Sequence, residues 1–225
     1  MPGSLENLTV PVLNRYDLLQ RMLSSLDFPI EHLLIIDNGS SEVEQAFELD
    51  VPDVVEHVTY LPMPANLGVA ASWNIGIKCF PYADRWFIAS NDVVFRPGAL
   101  ERLSEAHRDK ITLASMFPHW QAFCVGYGAV RRLGLFDEAY FPAFFEDNDY
   151  NTRANHHEVE IVRMELDLEH DNSSTLRSDE HFVQRNSETF DSNHAYYRDK
   201  MNRGDFGPGG WSVERRRRNG WERDR

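Results

Sequence analysis

The stretch from residue 8 to residue 40, LTVPVLNRYDLLQRMLSSLDFPIEHLLIIDNGS, decides the fold class of this chain. Its two ends, LTVPVL and EHLLIID, are short apolar runs that are typical of buried strands. The segment between them, YDLLQRMLSSL, repeats its leucines and methionine at helical spacing and predicts a helix with one buried face. A strand, a helix and a second strand in this order predict a parallel strand pair joined by a crossover helix.

The same alternation continues along the chain. HVTYL, RWFIASNDVVF, ITLASMF, AFCVGYG and EVEIVRM are predicted strands, and NLGVAASWNIGIKCF and FEDNDYNTRAN are predicted to form or begin helices. The stretch from residue 178 to residue 203 has the pattern of one or two amphipathic helices. We therefore predict the α/β class, with a mainly parallel sheet flanked by helices and with helices at the C-terminal end.

One domain is expected over residues 1–203, because 225 residues with 42% hydrophobic side chains can bury a single substantial core. Residues 204–225 change character, since a Gly/Pro hinge is followed by an arginine-rich tail that contains Trp211 and Trp221. A solvated, disordered tail is one interpretation. An electrostatic arm for an acidic partner or a peripheral membrane surface is the other, and the sequence does not separate them.

Charge and cysteine content narrow the class of protein. The formal charge of −13 argues against broad nucleic-acid binding, which needs a basic surface. The two cysteines, Cys79 and Cys124, lie in apolar stretches, so a reducing compartment is the simpler interpretation and we expect a cytoplasmic protein. No segment approaches the roughly 20 apolar residues that a membrane-spanning helix needs.

Acidic residues follow three predicted strands or turns. Asp37 ends the second strand, Asp92 lies near the end of RWFIASNDVVF, and FFEDND begins a predicted helix. Because ligands of open parallel sheets gather beyond the carboxyl ends of the strands, these positions together predict a binding site. Each alone is more often structural, since Asp and Asn after a strand commonly form turns or helix caps.

FFEDND places Glu146, Asp147 and Asp149 directly after Phe144 and Phe145. Acids in the first turn of a helix are stabilised by its dipole, which is the structural alternative. The adjoining aromatic cluster favours a second interpretation, because burial raises a carboxylate's pKa and can prepare a general base.

His170 follows a predicted strand and could ligate a divalent cation together with Asp92. A lone histidine is more often an ordinary polar surface residue, and both interpretations stay open. We interpret His156 and His157, in a predicted helix-to-strand turn, as structural.

These motifs, taken in order, resemble the GT-A fold glycosyltransferases of family 2, especially the rhamnosyltransferase-like branch. The resemblance rests on VPVLNR, IIDNGS, NLGVAASWNIGI, SNDVVF, GLFDEAYFPAFFEDNDYNTR, LEHDNSS and HAYYRDKMNRG, and it covers about residues 8–204. The resemblance implies a GT-A sheet and an inverting, metal-dependent transfer of a sugar from a nucleoside-diphosphate sugar to an acceptor hydroxyl.

The resemblance implies a role for each matching residue. The residues placed around the nucleotide sugar are Pro11, Asn14, Arg15, Asp37, Asn66, Gly68 and Asn91. Asp37 would contact the base through a ring N–H, and Asn66 and Gly68 would shape the loop near ribose and diphosphate. Asp92 would be the surviving acid of the metal-binding D-x-D element, with His170 as a further metal ligand.

On the acceptor side, the resemblance makes Asp147 the general base and places Glu146 beside it in the catalytic pair. Asp149 and Arg153 would shape the acceptor site, with Arg153 orienting the acids. Trp120 could be a stacking platform for an acceptor sugar, although a core tryptophan is at least as well supported by its apolar surroundings in the sequence.

The cofactor expected from the resemblance is Mn²⁺ or Mg²⁺, and the donor is a UDP-sugar or a dTDP-sugar, since both bases present the same edge to Asp37. The acceptor could be a glycan, a lipid-linked precursor, a protein or a small molecule. The sequence departs from the family pattern at Ser90, where a first carboxylate is expected, and at Trp73, where arginine is frequent.

Two alternatives follow. A non-catalytic sugar-nucleotide or glycan-binding module could keep the GT-A fold while Ser90 weakens its metal site. A nucleotidyltransferase shares the fold class, but VPVLNR lacks the Gly-rich, basic phosphate loop that such enzymes need.

Overall fold

The computed structural model describes residues 3–41, 43–116, 119–170 and 180–207. Its strands are β1 (Leu8–Val12), β2 (Ile30–Asp37), β3 (Val55–Pro62), β4 (Arg85–Ala89), β5 (Val93–Phe95), β6 (Ile111–Leu113), β7 (Ala122–Gly126), β8 (Ile161–Arg163) and β9 (Leu168–His170). Its α-helices are α1 (Tyr16–Leu23), α2 (Val69–Cys79), α3 (Ala99–Leu103), α4 (Tyr127–Leu133), α5 (Glu146–His156) and α6 (Glu180–Arg203), and Val43–Glu48 forms a 3₁₀ helix.

The main sheet has the strand order β3-β2-β1-β4-β7-β6-β8. β3, β2, β1 and β4 run parallel, β7 alone runs antiparallel to its neighbours, and β6 pairs with β8 in parallel. The predicted α/β class with a mainly parallel sheet is therefore confirmed.

RWFIASNDVVF does not form the single strand that the sequence predicts. β4 ends at Ala89, a turn contains Asn91 and Asp92, and Val93 begins β5. β5 leaves the main sheet and pairs antiparallel with β9, with Val93 opposite His170. The polar residues thus lie in a turn between two sheets and not at the end of a continuous buried strand.

The core has two parts because successive strand residues point to opposite faces of the sheet. Along β4, Phe87 and Ala89 join one apolar cluster, whereas Trp86 and Ile88 join the other. α1 and α3 cover the first face, and α2, α4 and α5 cover the second. Helices therefore cover both faces of the central strands, as a parallel sheet requires, while the edge strand β3 stays largely exposed.

The stretch predicted as one or two C-terminal helices is one helix, α6. The Gly/Pro hinge begins within the described residues, while the arginine-rich tail, with Trp211 and Trp221, lies outside them, and both interpretations of the tail stay open. Among the described helices, none combines the length and the apolar character needed to cross a membrane.

Gly39, just after β2, lies against the backbone of the loop that follows β3. Its φ is +84°, and a Cβ built there would lie 2.4 Å from the carbonyl carbon of Ala65. Gly98 has nearly the same φ, +81°, but a Cβ there would meet nothing within 4 Å. Comparing Gly39 with Gly98 therefore distinguishes the effect of backbone strain, which both positions share, from that of steric overlap, which only Gly39 has.

We expect Gly39→Ala to destabilise the fold clearly more than Gly98→Ala. Gly98→Ala should cost only the left-handed strain of an L residue, about 1–2 kcal/mol, whereas Gly39→Ala adds a backbone clash and should cost about 3 kcal/mol or more. Urea unfolding of both variants would measure this difference. Equal losses would show that the loop after β3 moves aside freely.

Candidate active site

β1 and β4 separate near Pro11, at the carboxyl ends of the parallel strands. β1 pairs with β4 at Thr9 and Ile88, and Pro11 lacks the N–H that a longer ladder would use. The loops that follow β1, β2 and β4 surround this opening, where a ligand of such a sheet is expected.

Asn14 and Arg15 link these loops. Asn14 has a φ of +58°, its N–H donates to Ser40 Oγ at 2.9 Å, and its Oδ1 accepts the Ser41 N–H at 2.8 Å. The Arg15 carbonyl accepts a hydrogen bond from Asn91 Nδ2 at 3.1 Å. The structure thus brings together three of the residues predicted to surround the nucleotide, and it ties the β1 end to both neighbouring loops.

Asn66 and Gly68 lie in one loop, and its placement near ribose and diphosphate stays a prediction. Asn66 Oδ1 accepts hydrogen bonds from Asn38 Nδ2 at 3.1 Å and from the Gly68 N–H at 2.8 Å. Gly68 has a φ of +88°, and a Cβ there would lie 3.1 Å from Phe141 Cδ2 and from the Pro142 carbonyl oxygen. The loop therefore packs closely against the segment that precedes α5.

Asp37 is buried, and both of its carboxylate oxygens accept hydrogen bonds from the protein. Its Oδ2 accepts hydrogen bonds from the hydroxyls of Tyr16 and Tyr60, each at 2.5 Å, and its Oδ1 accepts the Ser40 N–H at 2.8 Å. Burial raises the pKa of this carboxyl, but the hydrogen bonds from Ser40, Tyr16 and Tyr60 outweigh it, so the pKa lies below its ordinary value. The hydrogen bond from Ser40 shows that Asp37 stabilises the turn after β2, which is the structural alternative given in the sequence analysis. A contact between Asp37 and a nucleotide base stays a prediction.

Asp92 and His170 meet at the start of the small sheet. Asp92 Oδ1 lies 3.3 Å from His170 Nε2, because the β5–β9 register sets Val93 opposite His170. The two candidate metal ligands, far apart in sequence, are thus adjacent in space.

This pair suits a divalent cation that also binds a ligand. Two atoms at right angles around one ion, each about 2.1 Å from it, lie about 3 Å apart, close to the observed separation. A carboxylate oxygen with an imidazole nitrogen is a donor set that Mn²⁺ accepts. Within the described residues, no group of three or more His, Cys, Asp or Glu side chains could hold a metal, so Asp92 and His170 would supply two of the ligands that such an ion needs.

Glu146 opens α5 in an apolar environment. Its side chain is nearly inaccessible, and its buried Oε2 has no hydrogen-bond partner among the residues that the structure describes. Burial, reinforced by the negative charge of Asp147, raises the pKa of Glu146 from 4.5 to about 8. The predicted catalytic pair therefore contains a carboxyl that is largely protonated at neutral pH.

Asp147 is partly buried beside Glu146. Burial raises the pKa of Asp147, although backbone hydrogen bonds, including one from the Asn148 N–H to Oδ1 at 2.7 Å, and the neighbouring His119 oppose this shift. A raised carboxylate pKa makes Asp147 a stronger base than an exposed aspartate.

Trp120 lies in the core and not on an open surface. Its ring packs against Trp73, Phe123, Phe136 and Tyr150, with centroids 4.7–6.3 Å apart. These contacts correct the stacking-platform hypothesis and fit a core tryptophan, which was the alternative. Trp73, where the family often has arginine, belongs to the same aromatic core.

Asp149 and Arg153 are also placed differently from the acceptor-site prediction. Asp149 is fully buried, its Oδ2 accepts Arg153 Nε at 2.8 Å, and its Oδ1 pairs with Lys200 Nζ at 2.8 Å. Arg153 further donates to the carbonyls of Leu133 and Leu135. Both residues anchor α5 to α6 and to the end of α4, and no surface of either is open to an acceptor.

Several residues of α6 join the site without having been singled out in the sequence. Asn193 contacts the loop that precedes α5, and Phe190 and His194 lie against Phe145. Phe190 and Phe141 are 43% and 41% exposed, so aromatic surface remains open near the acids. The amphipathic pattern predicted the helix, but an interhelical contact has no signal in a single sequence.

The sequence model described as Glycosyl transferase family 2 matches residues 8–166. No curated protein matches the chain. Among solved structures, a mannosyltransferase from Pyrobaculum calidifontis in complex with GDP-Man and Mn²⁺ is similar, with a TM-score of 0.55, 15% identity, and coverage of 72% of this chain and 54% of that one.

TarS of S. aureus in complex with UDP-GlcNAc has a TM-score of 0.55 and 13% identity, over 71% of this chain and 56% of that one. The catalytic domain of Drosophila beta1,4galactosyltransferase 7, in complex with xylobiose, has a TM-score of 0.50 and 12% identity over 78% and 74%. At these identities the likeness shows a shared fold. The chain spans little more than half of the mannosyltransferase and of TarS.

We expect Glu146→Gln to stabilise the protein in a pH-dependent way. The folded state holds a proton that the unfolded chain releases, so wild-type stability falls as the pH rises from 4.5 to about 8. Glutamine cannot ionise, and each pKa unit corresponds to about 1.4 kcal/mol, so the variant should gain a few kcal/mol near the upper end of this window. Denaturant unfolding across the window measures the gain.

The exposed Glu105 allows a matched control, because Glu105→Gln makes the same chemical change outside the site. Its stability difference from wild type should not follow this pH pattern. A Glu146→Gln profile parallel to that of wild type would contradict the buried-carboxyl account.

Proposed function

We propose, because the chain belongs to glycosyl transferase family 2, that it transfers a sugar from a nucleoside-diphosphate donor to an acceptor hydroxyl, with inversion at the anomeric carbon. One observation carries this proposal. The Val69 N–H, just after Gly68 in the predicted donor loop, donates to the Pro142 carbonyl at 2.8 Å, so the donor loop directly contacts the loop that presents Glu146 and Asp147. Both halves of a transfer site thus share one region.

On the donor side, we propose that the loops carrying Pro11, Asn14, Arg15 and Asn91 hold the nucleotide, with Asn66 and Gly68 shaping the diphosphate loop. Asp37 would accept a base N–H, which requires Tyr16 or Tyr60 to give up its hydrogen bond to the carboxylate. A UDP-sugar or dTDP-sugar fits such an acceptor, and transfer of a hexose or of rhamnose, as in the rhamnosyltransferase-like branch, belongs to this proposal.

We propose that Asp92 and His170 bind Mn²⁺, or Mg²⁺, together with the donor. Their adjacent oxygen and nitrogen atoms, 3.3 Å apart, support this assignment. A bound divalent cation would offset the negative charge that develops on the departing diphosphate.

For the chemical step, Asp147 would remove the proton of the acceptor hydroxyl as its oxygen bonds to the anomeric carbon. The bond from that carbon to the diphosphate oxygen breaks, and the nucleoside diphosphate leaves with the bonding electrons. Glu146, with its pKa raised to about 8 by burial, stays mostly neutral at neutral pH. Asp147 would therefore be the ionised carboxylate of the pair that accepts the proton.

The acceptor in this proposal carries a sugar ring. The half-exposed rings of Phe141 and Phe190 offer faces on which a sugar can stack, and Phe190 adjoins Phe145 directly before the acids. A free glycan, a lipid-linked glycan and a glycosylated protein all present such a ring. A cytoplasmic location, with peripheral membrane contact through the arginine-rich tail, completes the proposal.

Asp147→Asn should lower the rate of donor turnover by about a hundredfold or more, since a positioned base contributes that much. Release of nucleoside diphosphate from UDP-glucose, UDP-GlcNAc, GDP-mannose and dTDP-rhamnose, with water as acceptor and Mn²⁺ present, would be measured. Calorimetry with the nucleotide should show unchanged binding. Asp53→Asn, at an exposed aspartate before β3, is the matched control and should behave as wild type.

If Asp147→Asn folds and turns over donor like wild type, Asp147 is not the base. Nucleotide binding by the wild type without turnover of any donor in the panel would instead favour the non-catalytic sugar-nucleotide-binding module.

We expect His170→Ala and Asp92→Asn each to raise the Mn²⁺ concentration needed for half-maximal turnover, by about tenfold or more, because metal-site substitutions have effects of this size. His156→Ala, at an exposed histidine at the end of α5, serves as the control. A metal titration of donor hydrolysis gives the values. Identical titrations for all three variants would remove the Asp92–His170 pair from the metal site.

A further inference from the structure

The loop at residues 141–145, directly before α5, has all of its carbonyl groups bound. Asn193 Nδ2 lies 2.8, 3.2 and 3.4 Å from the carbonyl oxygens of Ala143, Phe144 and Phe141, so its two N–H groups are shared among three acceptors. Pro142 O accepts the Val69 N–H, and Phe145 O accepts the Asp149 N–H inside α5. One side chain of α6 therefore engages most of the loop backbone.

This loop needs external support because its backbone is strained. Phe144 and Phe145 have φ values of +79° and +73°, a left-handed conformation that bulky L residues rarely adopt. Such conformations persist where the surroundings hold them, and they are frequent at functional sites. The amide of Asn193, itself only 5% exposed, provides this support.

The loop conformation also sets the first catalytic carboxyl. The backbone N–H groups of Phe144 and Glu146 donate hydrogen bonds to the Glu146 carboxyl. A shift of the Phe144 peptide would remove one of these donors and change the direction in which α5 begins, and Asp147 would move with it.

α6 is itself fixed relative to α5, so Asn193 can act as a rigid support. Lys200 Nζ pairs with Asp137 Oδ2 at 2.6 Å and with Asp149 Oδ1 at 2.8 Å, and the Tyr197 hydroxyl lies 2.7 Å from Thr152 Oγ1. These contacts lie within about three turns of Asn193 along one helix.

We propose that Asn193 is a positioning residue for the transfer reaction, whose amide holds the 141–145 loop and thereby aims the carboxyl groups of Glu146 and Asp147. The inference rests on the proposed function of those two acids. α6 lies beyond residues 8–166, which match the family model, so Asn193 is an addition to the matched part of the chain.

The test compares Asn193→Leu with Asn202→Leu. Leucine has nearly the size of asparagine but cannot donate, and Asn202 is an exposed residue on the same helix. In Asn193→Leu, kcat for Mn²⁺-dependent hydrolysis of the best donor in the panel should fall about tenfold to a hundredfold, as expected for a small misplacement of reacting groups. The KM for the donor should change less than kcat, because Asn193 reaches the donor loop only indirectly, through the 141–145 loop.

Asn193→Ser keeps one donor and covers the case in which the leucine variant does not fold, with an intermediate loss of kcat expected. Hydrogen exchange adds a readout that is independent of activity. Amides of residues 141–149 should exchange faster in the Asn193 variants than in wild type, and at wild-type rates in Asn202→Leu.

A folded Asn193 variant with wild-type kcat, or with wild-type exchange across residues 141–149, overturns the inference. An equal rise in KM and fall in kcat would also count against it, as a general loosening of the site would produce that result. If Asp147→Asn is fully active, the proposed function of the acids fails separately, and hydrogen exchange alone then decides whether Asn193 holds the loop.

Discussion

The buried carboxylate of Asp149 is the interaction on which the site depends. It has no solvent exposure and is paired with two cations, Arg153 from its own helix and Lys200 from α6. A buried charge without partners would cost on the order of several kcal/mol, so removing either cation would leave part of this charge uncompensated. Because Arg153 also binds the carbonyls of Leu133 and Leu135, this one ion cluster joins α5, α6 and the end of α4.

Glu146, three residues before Asp149, carries the same chemical group in an environment that does not compensate its charge. Within the described part of the chain it is buried without a paired cation and one of its oxygens has no hydrogen-bond partner, while the neighbouring Asp147 adds repulsion. The charge of Asp149 is thus compensated inside the protein, whereas Glu146 destabilises the fold once it is ionised. Such a cost is tolerated where a function needs the group.

The fold class and the polar residues at the strand ends could be predicted from the sequence better than the roles of individual side chains. The alternation of apolar runs sufficed for the fold class, and the rule that ligands gather at strand ends brought Asp92 and His170 into one prediction, which the β5–β9 register supports. Residue type and spacing do not reveal burial, so the sequence places Asp149 and Arg153 at the acceptor site and leaves Trp120 open between that site and the core. Asn193 had no signal, since its importance comes from the carbonyls it meets about 50 residues earlier in the chain.

The proposed donor and acceptor halves of the site are joined by backbone contacts that side-chain chemistry alone would not indicate. Gly68 must be glycine both for its φ of +88° and because Phe141 and Pro142 approach it closely, and the Val69 N–H then binds the Pro142 carbonyl. The other carbonyls of the 141–145 loop bind Asn193 and α5, so the loop is held from the donor loop on one side and from α6 on the other. A movement of the donor loop would consequently be transmitted to the start of α5, where the two acids lie. In the proposed mechanism, the hydrogen bonds of this short loop would therefore connect the donor side of the site to the two acids.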